Sequence, residues 1–249
     1  MVLPWLLGAC GAGANAGGPV ASDAEAASET TTPAIDGAET DAADAGDDRQ
    51  NSEEVDAAED GPPACSPFIT NVVRVDYGAG AGFGQSSFPA IIEGAPRGAG
   101  CCRGSLNVLS LGNGGSIVVE FGQTIVDGPG ADFIVFENAF LVGGDPQNPY
   151  TDPATVEVSA DGVSWSAFPC TATAYPWGPC AGWHPVYANP STNAIDPLDP
   201  TVAGGDAFDL ADLGDASVRE VRFIRITDRA DIDDDFDLDA IGVVHGQCR

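Results

Sequence analysis

The chain of 249 residues carries nine arginines, no lysine and 38 acids, a formal net charge of −29. A phosphate backbone is bound through clustered cationic side chains, so nucleic acid is excluded as a partner and an anionic membrane surface is disfavoured. Cations are the natural counterparts of such a charge.

Residues 1–9 form a short apolar run, and Leu7-Gly8-Ala9-Cys10 resembles the bacterial lipobox, in which small residues precede a lipidated cysteine. Residues 1–10 are therefore read as a truncated lipoprotein signal, with Cys10 as the expected lipidation site. A basic n-region and a full apolar h-region are missing, which a start placed too far downstream explains. Residues 11–64 contain no aromatic residue, only Val20, Ile35 and Val55 as branched aliphatics, and fourteen acids against Arg49 alone. Such a stretch cannot bury enough apolar surface to offset its ordering entropy. It is expected to be a disordered acidic tether. Residues 65–249 hold nearly all the Phe, Val and Ile, enough for one folded domain. No later apolar run approaches the roughly 18–20 residues of a membrane span. The expected location is the bacterial cell surface or outer membrane, reached through the lipid anchor alone.

Six cysteines follow Cys10, and an even number in an exported domain implies disulfides. Cys170 and Cys180 bracket a short loop and suit a local bridge. Cys65 and Cys248 lie at the two ends of the domain, where a bridge would staple the first strand to the last. Cys101 and Cys102 are left as a vicinal pair or as partners for Cys170 and Cys180. Zinc is a poor alternative, because paired CxxC motifs are lacking and His184 and His245 are the only histidines.

From residue 68 onward, short β-runs are broken by Gly, Pro, Asn and Asp. Strands are predicted at Phe68–Tyr77, Ser116–Phe121, Phe133–Glu137, Thr155–Ser159, Ser164–Phe168, Glu220–Thr227 and Phe236–Val244. Residues 117–121 and 133–136 are continuous apolar runs, suited to strands buried on both faces, whereas 156–158 and 221–226 alternate as half-buried strands do. Phe208–Leu213 suits a single helical turn. This pattern predicts an all-β, antiparallel β-sandwich or jelly roll.

The hairpin Ala154–Trp165 reads ATVEVSADGVSW, and Val221–Asp228 reads VRFIRITD. They resemble the VxVSxDGxxW hairpin and the aRYVRI strand of discoidin and other galactose-binding-like domains; in that hairpin Asp-Gly makes the turn and the Trp packs beside it. Taken with Ser110–Ile117, Phe136–Asn138, Gly204–Leu210 and Phe236–Asp239, the chain resembles a bacterial "cell surface protein" family with this jelly roll, over about residues 70–245. The resemblance implies fold and location, and little about ligand.

Seven aspartates fall between Asp228 and Asp239 with only Arg229 among them. Gathering carboxylates around a strand costs repulsion that a bound cation removes, and Ca²⁺ takes six to eight oxygen ligands. Phe-Asp-Leu recurs at 208–210 and 236–238, and Glu137-Asn138 ends a predicted buried strand. Glu137, Asn138, Asp206, Asp209, Asp237 and Asp239 are therefore expected to converge on one or two Ca²⁺ ions. An EF-hand starting at Asp231 does not explain the cluster, since Phe236 and Gly242 stand where Gly and Glu are required. The long connection from Cys170 to Gly205 contains Tyr175, Trp177 and Trp183, aromatic rings suited to a glycan or another surface component. The alternative is that these rings form a satellite core under the loop. No G-x-S-x-G, HExxH or phosphate-loop motif occurs. The expectation is a non-enzymatic binding module. A structural or adhesive coat protein and a calcium-dependent extracellular hydrolase are the alternatives.

Overall fold

The computed structural model describes residues 65–215, 217–232 and 234–249. The lipidation site Cys10, the tether at 11–64 and Asp233 of the acidic cluster lie outside the described residues.

Thirteen strands occur among the described residues: β1 (Ile69–Asp76), β2 (Leu109–Ser110), β3 (Ser116–Val126), β4 (Phe133–Phe136), β5 (Phe140–Leu141), β6 (Pro149–Tyr150), β7 (Ala154–Ser159), β8 (Ser166–Ala167), β9 (Asp206–Phe208), β10 (Glu220–Asp228), β11 (Asp237–Leu238), β12 (Ala240–Val243) and β13 (Gly246–Cys248). Every pairing is antiparallel. The larger sheet runs β1-β3-β10-β7-β8, with β13 also paired to β3. The smaller layer runs β12-β4-β9. The β2–β11 ladder adjoins it through the Asp239 N–H, which donates to the Phe136 carbonyl. The protein is an antiparallel β-sandwich.

Alternation makes the larger sheet one-sided. Ile117, Val119, Phe121, Val156, Val158, Val221, Ile224 and Ile226 are buried, while residues between them are partly exposed. They pack against Phe133, Val135, Phe208, Ile241 and Val243 of the opposing layer in one core. Fully burying a side chain such as Phe121 contributes about 1.5–3 kcal/mol. The apolar run of β4 has a different cause. Phe133 and Val135 enter the main core, whereas Ile134 and Phe136 face outward into a second cluster with Val186, Ala188 and Ala203 of the long connection. β4 is buried on both faces because that connection folds over it.

The DG hairpin forms as predicted. Gly162 has φ +74°, a conformation that suits glycine, and the Asp161 carboxylate accepts from the N–H groups of Val163 and Ser164, each at 2.8 Å. Trp165 lies under the Arg225 guanidinium at 4.4 Å, which in turn pairs with both oxygens of Glu157. The predicted strand Phe236–Val244 is instead two short strands, β11 paired with β2 and β12 paired with β4, because the chain changes partner at Asp239. The turn expected at Phe208–Leu213 is the 3₁₀ segment Leu210–Leu213.

Three disulfides join Cys65 to Cys248, Cys101 to Cys102 and Cys170 to Cys180. The first closes one edge of β3, where β1 pairs with its first half and β13 with residues 123–125. No helix among the described residues is long and apolar enough to cross a membrane.

Candidate metal centre

Strand register decides which acids meet. β7 begins where β10 ends, with Ala154 opposite Asp228. β12 begins where β4 ends, with Ala240 opposite Phe136. The residues just beyond these ends are Glu137 after β4 and Asp152 before β7, with Asp237 opening β11. Glu137 feels the charges of Asp152 and Asp237, and Asp152 feels those of Asp234, Asp237, Asp228 and Asp235. Asp152, Asp234, Asp235 and Asp237 line one cavity of about 660 Å³ together with Ser110 and Tyr150.

Two of these carboxylates are buried without adequate partners. Glu137 is 2% exposed and Asp152 3%. Glu137 Oε1 accepts from the Asp237 N–H at 3.3 Å, but its Oε2 and the Oδ1 of Asp152 have no hydrogen-bond partner. Buried polar atoms are nearly always partnered, so such an exception calls for an explanation. Burial, and then the neighbouring charges, push Glu137 well above the usual carboxylate range and Asp152 up to about 8. Asp237 is raised mainly by burial. The negative charge of Asp152, followed by burial, raises the Tyr150 phenol to about 12.

A stability trend follows from the sign of these shifts. A carboxyl raised in the folded state favours folding most when protonated, below its ordinary value near 3.8, and loses that contribution as pH rises through about 8. In a metal chelator, the Asp152→Asn variant is therefore expected to gain on the parent protein in melting temperature as pH is raised from 4 to 8. Parallel pH profiles for the two would contradict it.

The structure separates the six residues proposed from sequence. Glu137 and Asp237 belong to this centre. Asn138 braces it rather than offering a free ligand: its Oδ1 accepts from the Ser105 N–H at 2.5 Å, and its Nδ2 donates to Asp237 Oδ2 at 3.4 Å. The other three of the six expected around one or two Ca²⁺ ions bond to backbone N–H groups away from this centre. Asp206 accepts from the N–H groups of Gly182 and Trp183, at 2.7 and 3.1 Å, and faces His184 Nδ1 at 2.7 Å. Asp239 accepts the Arg97 N–H on both oxygens, at 2.8 and 3.1 Å, and burial pushes it up to about 7. Asp209 caps the 3₁₀ segment through the Ala211 N–H at 2.9 Å. Asp206 and Asp239 satisfy backbone donors of another loop, whereas Asp209 satisfies one two residues along its own segment.

Asp209 belongs to a second acidic group that could hold a metal ion. Ligand atoms of Asp127, Asp132 and Asp209 lie within 4.8 Å of one another. Each of these carboxylates already has a partner: Asp132 accepts from the N–H groups of Gly128 and Leu210 and faces His245, Asp127 pairs with Arg219, and Asp209 accepts from Ala211. The Glu137 centre is distinguished by buried oxygens that have none.

Asp152 is the residue that sequence reasoning misses. It stands alone before Pro153, outside the aspartate-rich stretch, and no motif marks it. It is seated by the long connection, whose Gly182 accepts the Asp152 N–H at 3.0 Å. Gly182 has φ +90°, and a Cβ there would lie 2.1 Å from the Asp152 carbonyl oxygen, so glycine is required.

The three aromatic residues of that connection divide. Trp177 is 7% exposed, donates to Thr151 Oγ1 at 2.9 Å and lies beneath Arg229 at 5.7 Å. It packs as the satellite-core alternative expects, which corrects its assignment as a ligand contact. Trp177→Ala should cost about 3–5 kcal/mol in chemical denaturation, and a loss below 1 kcal/mol would contradict a packing role. Tyr175 and Trp183 remain at the surface as an edge-to-face pair, 5.8 Å between centroids. No protein-family model matches the chain, and no curated protein sequence matches it.

Proposed function

We propose that the chain is the binding module of a bacterial surface lipoprotein, a non-catalytic sandwich whose loops are ordered by Ca²⁺ at Glu137, Asp152 and Asp237. The observation that carries the reading is the pair of buried, partnerless oxygens, Glu137 Oε2 and Asp152 Oδ1. Leaving such a group unsatisfied costs roughly 1–3 kcal/mol or more, and a divalent cation converts that cost into ligation. The acidic side chains present are oxygen donors on loops, which suits a hard cation of high coordination number. The three disulfides support an oxidising, extracytoplasmic location. The motif order of a galactose-binding-like jelly roll supports the same assignment, with Tyr175 and Trp183 as a surface aromatic pair for a glycan or other surface component.

Calcium titration by calorimetry tests it. Binding that is lost in Glu137→Gln and Asp152→Asn but kept in Asp209→Asn supports the reading. No binding, or loss only in Asp209→Asn, overturns it. The raised Asp152 carboxyl in the same cavity favours a second reading, a general acid in an extracellular hydrolase. Polysaccharide turnover abolished by Asp152→Asn would select it.

A further inference from the structure

Six of the eight described arginines form ion pairs with carboxylates: Arg74, Arg219, Arg222, Arg225, Arg229 and Arg249. The other two, Arg97 and Arg103, form none with a described carboxylate, and both line the same cavity. That cavity, of about 730 Å³, has no Asp or Glu in its lining, in a protein with 38 acids. Two acids are buried behind its walls, Asp239 on the Arg97 N–H and Glu137 beside Arg103 in an adjoining cleft, so the charges that line the cavity itself are the two guanidinium groups. We propose that this cavity binds an acidic saccharide, with its carboxylate or sulfate held by Arg97 and Arg103. The proposal rests on the reading of the domain as a binding module.

The volume favours a saccharide over a small inorganic anion, since it lies within the range of organic-ligand sites. Beside the two arginines stand the amide of Asn107 and the half-exposed ring of Tyr187, groups suited to hydroxyls and to a sugar face. The walls are fixed before any ligand arrives. Asn189 Nδ2 donates to the Gly98 carbonyl at 3.0 Å, Asn193 Nδ2 to the Tyr187 carbonyl at 2.9 Å, and Ser105 Oγ to the Arg97 carbonyl at 2.9 Å. Preorganised walls lower the ordering cost of binding. Arginine presents a planar fork that matches an oxyanion with two hydrogen bonds.

The cavity is also joined to the metal centre. Asn138 accepts the Ser105 N–H and donates to Asp237. Gly104 approaches so closely that a Cβ would lie 2.5 Å from Asn138 Oδ1. Ordering Glu137 and Asp237 therefore steadies the segment that carries Arg103.

The test titrates the full chain, in calcium, with trigalacturonate, with a sulfated galactose trisaccharide and with neutral galactotriose. At least one charged saccharide is expected to bind at least about tenfold more tightly than the neutral one. The preferred anion identifies carboxylate or sulfate as the recognised group. Arg97→Gln and Arg103→Gln should each weaken that binding about tenfold or more, the loss of one charge-assisted contact, while calcium binding is unchanged. Equal affinity for all three saccharides, no binding of either charged one, or arginine variants that bind like the parent would overturn the proposal. Charged-saccharide binding that persists in a chain unable to bind calcium upholds the cavity and removes only the calcium reading.

Discussion

Saturating Ca²⁺ is expected to raise the melting temperature of the domain by about 5–10 °C over the same protein in EDTA. At a hundred times the dissociation constant, a ligand bound only by the folded state stabilises it by about 2.7 kcal/mol. A domain of this size gains about 2–4 °C per kcal/mol. The physical source is local: Glu137 and Asp152 are buried with oxygens that lack donors, among the charges of Asp234, Asp235 and Asp237. Glu137→Gln and Asp152→Asn should abolish the calcium response without lowering the melting temperature in EDTA, because each removes a carboxyl that burial already disfavours in its charged form. A purely structural role for these acids gives the opposite pattern, a loss of stability in EDTA with the calcium response intact. Thermal melts of three proteins in two buffers separate the two.

Replacing Cys65 and Cys248 together by serine should destabilise the domain by about 3–5 kcal/mol. The bridge closes a loop of 183 residues, for which the chain-entropy argument gives about 5 kcal/mol. The same argument gives about 3 kcal/mol for Cys170–Cys180, ten residues apart, and almost nothing for the vicinal pair. Domains of this kind are stable by about 5–15 kcal/mol, so the terminal bridge alone is a large share. Denaturant midpoints of the double-serine variants test the order. A loss under 1 kcal/mol for the Cys65 and Cys248 pair would show that β1 and β13 hold β3 without help.

Much of the sandwich was legible because its signals are short-range. Alternation in β7 and β10 named the buried faces correctly, and Asp161-Gly162 announced its hairpin through the left-handed glycine. Two-residue strands such as β2, β5 and β6 were not legible. A dipeptide has no period, and its pairing partner is chosen by the surrounding fold. The terminal cystine followed from the positions of its two cysteines, whereas the pairing of Cys101 with Cys102 stayed open until the fold separated them from Cys170 and Cys180.

The candidate site was half legible. Glu137 and Asp237 stood out by composition and context. Asp206, Asp209 and Asp239 looked the same in sequence, but Asp206 and Asp239 serve backbone N–H groups of other loops and Asp209 caps its own 3₁₀ segment. The sequence by itself determined the strand-forming pattern, the acidity and the cysteines available for cross-linking, since these depend on residue type and local spacing. Only the tertiary structure decided that Asp152 joins Glu137, and that Arg97 and Arg103 share a cavity without acids. Which oxygen is left without a donor depends on where every other donor in the fold has gone.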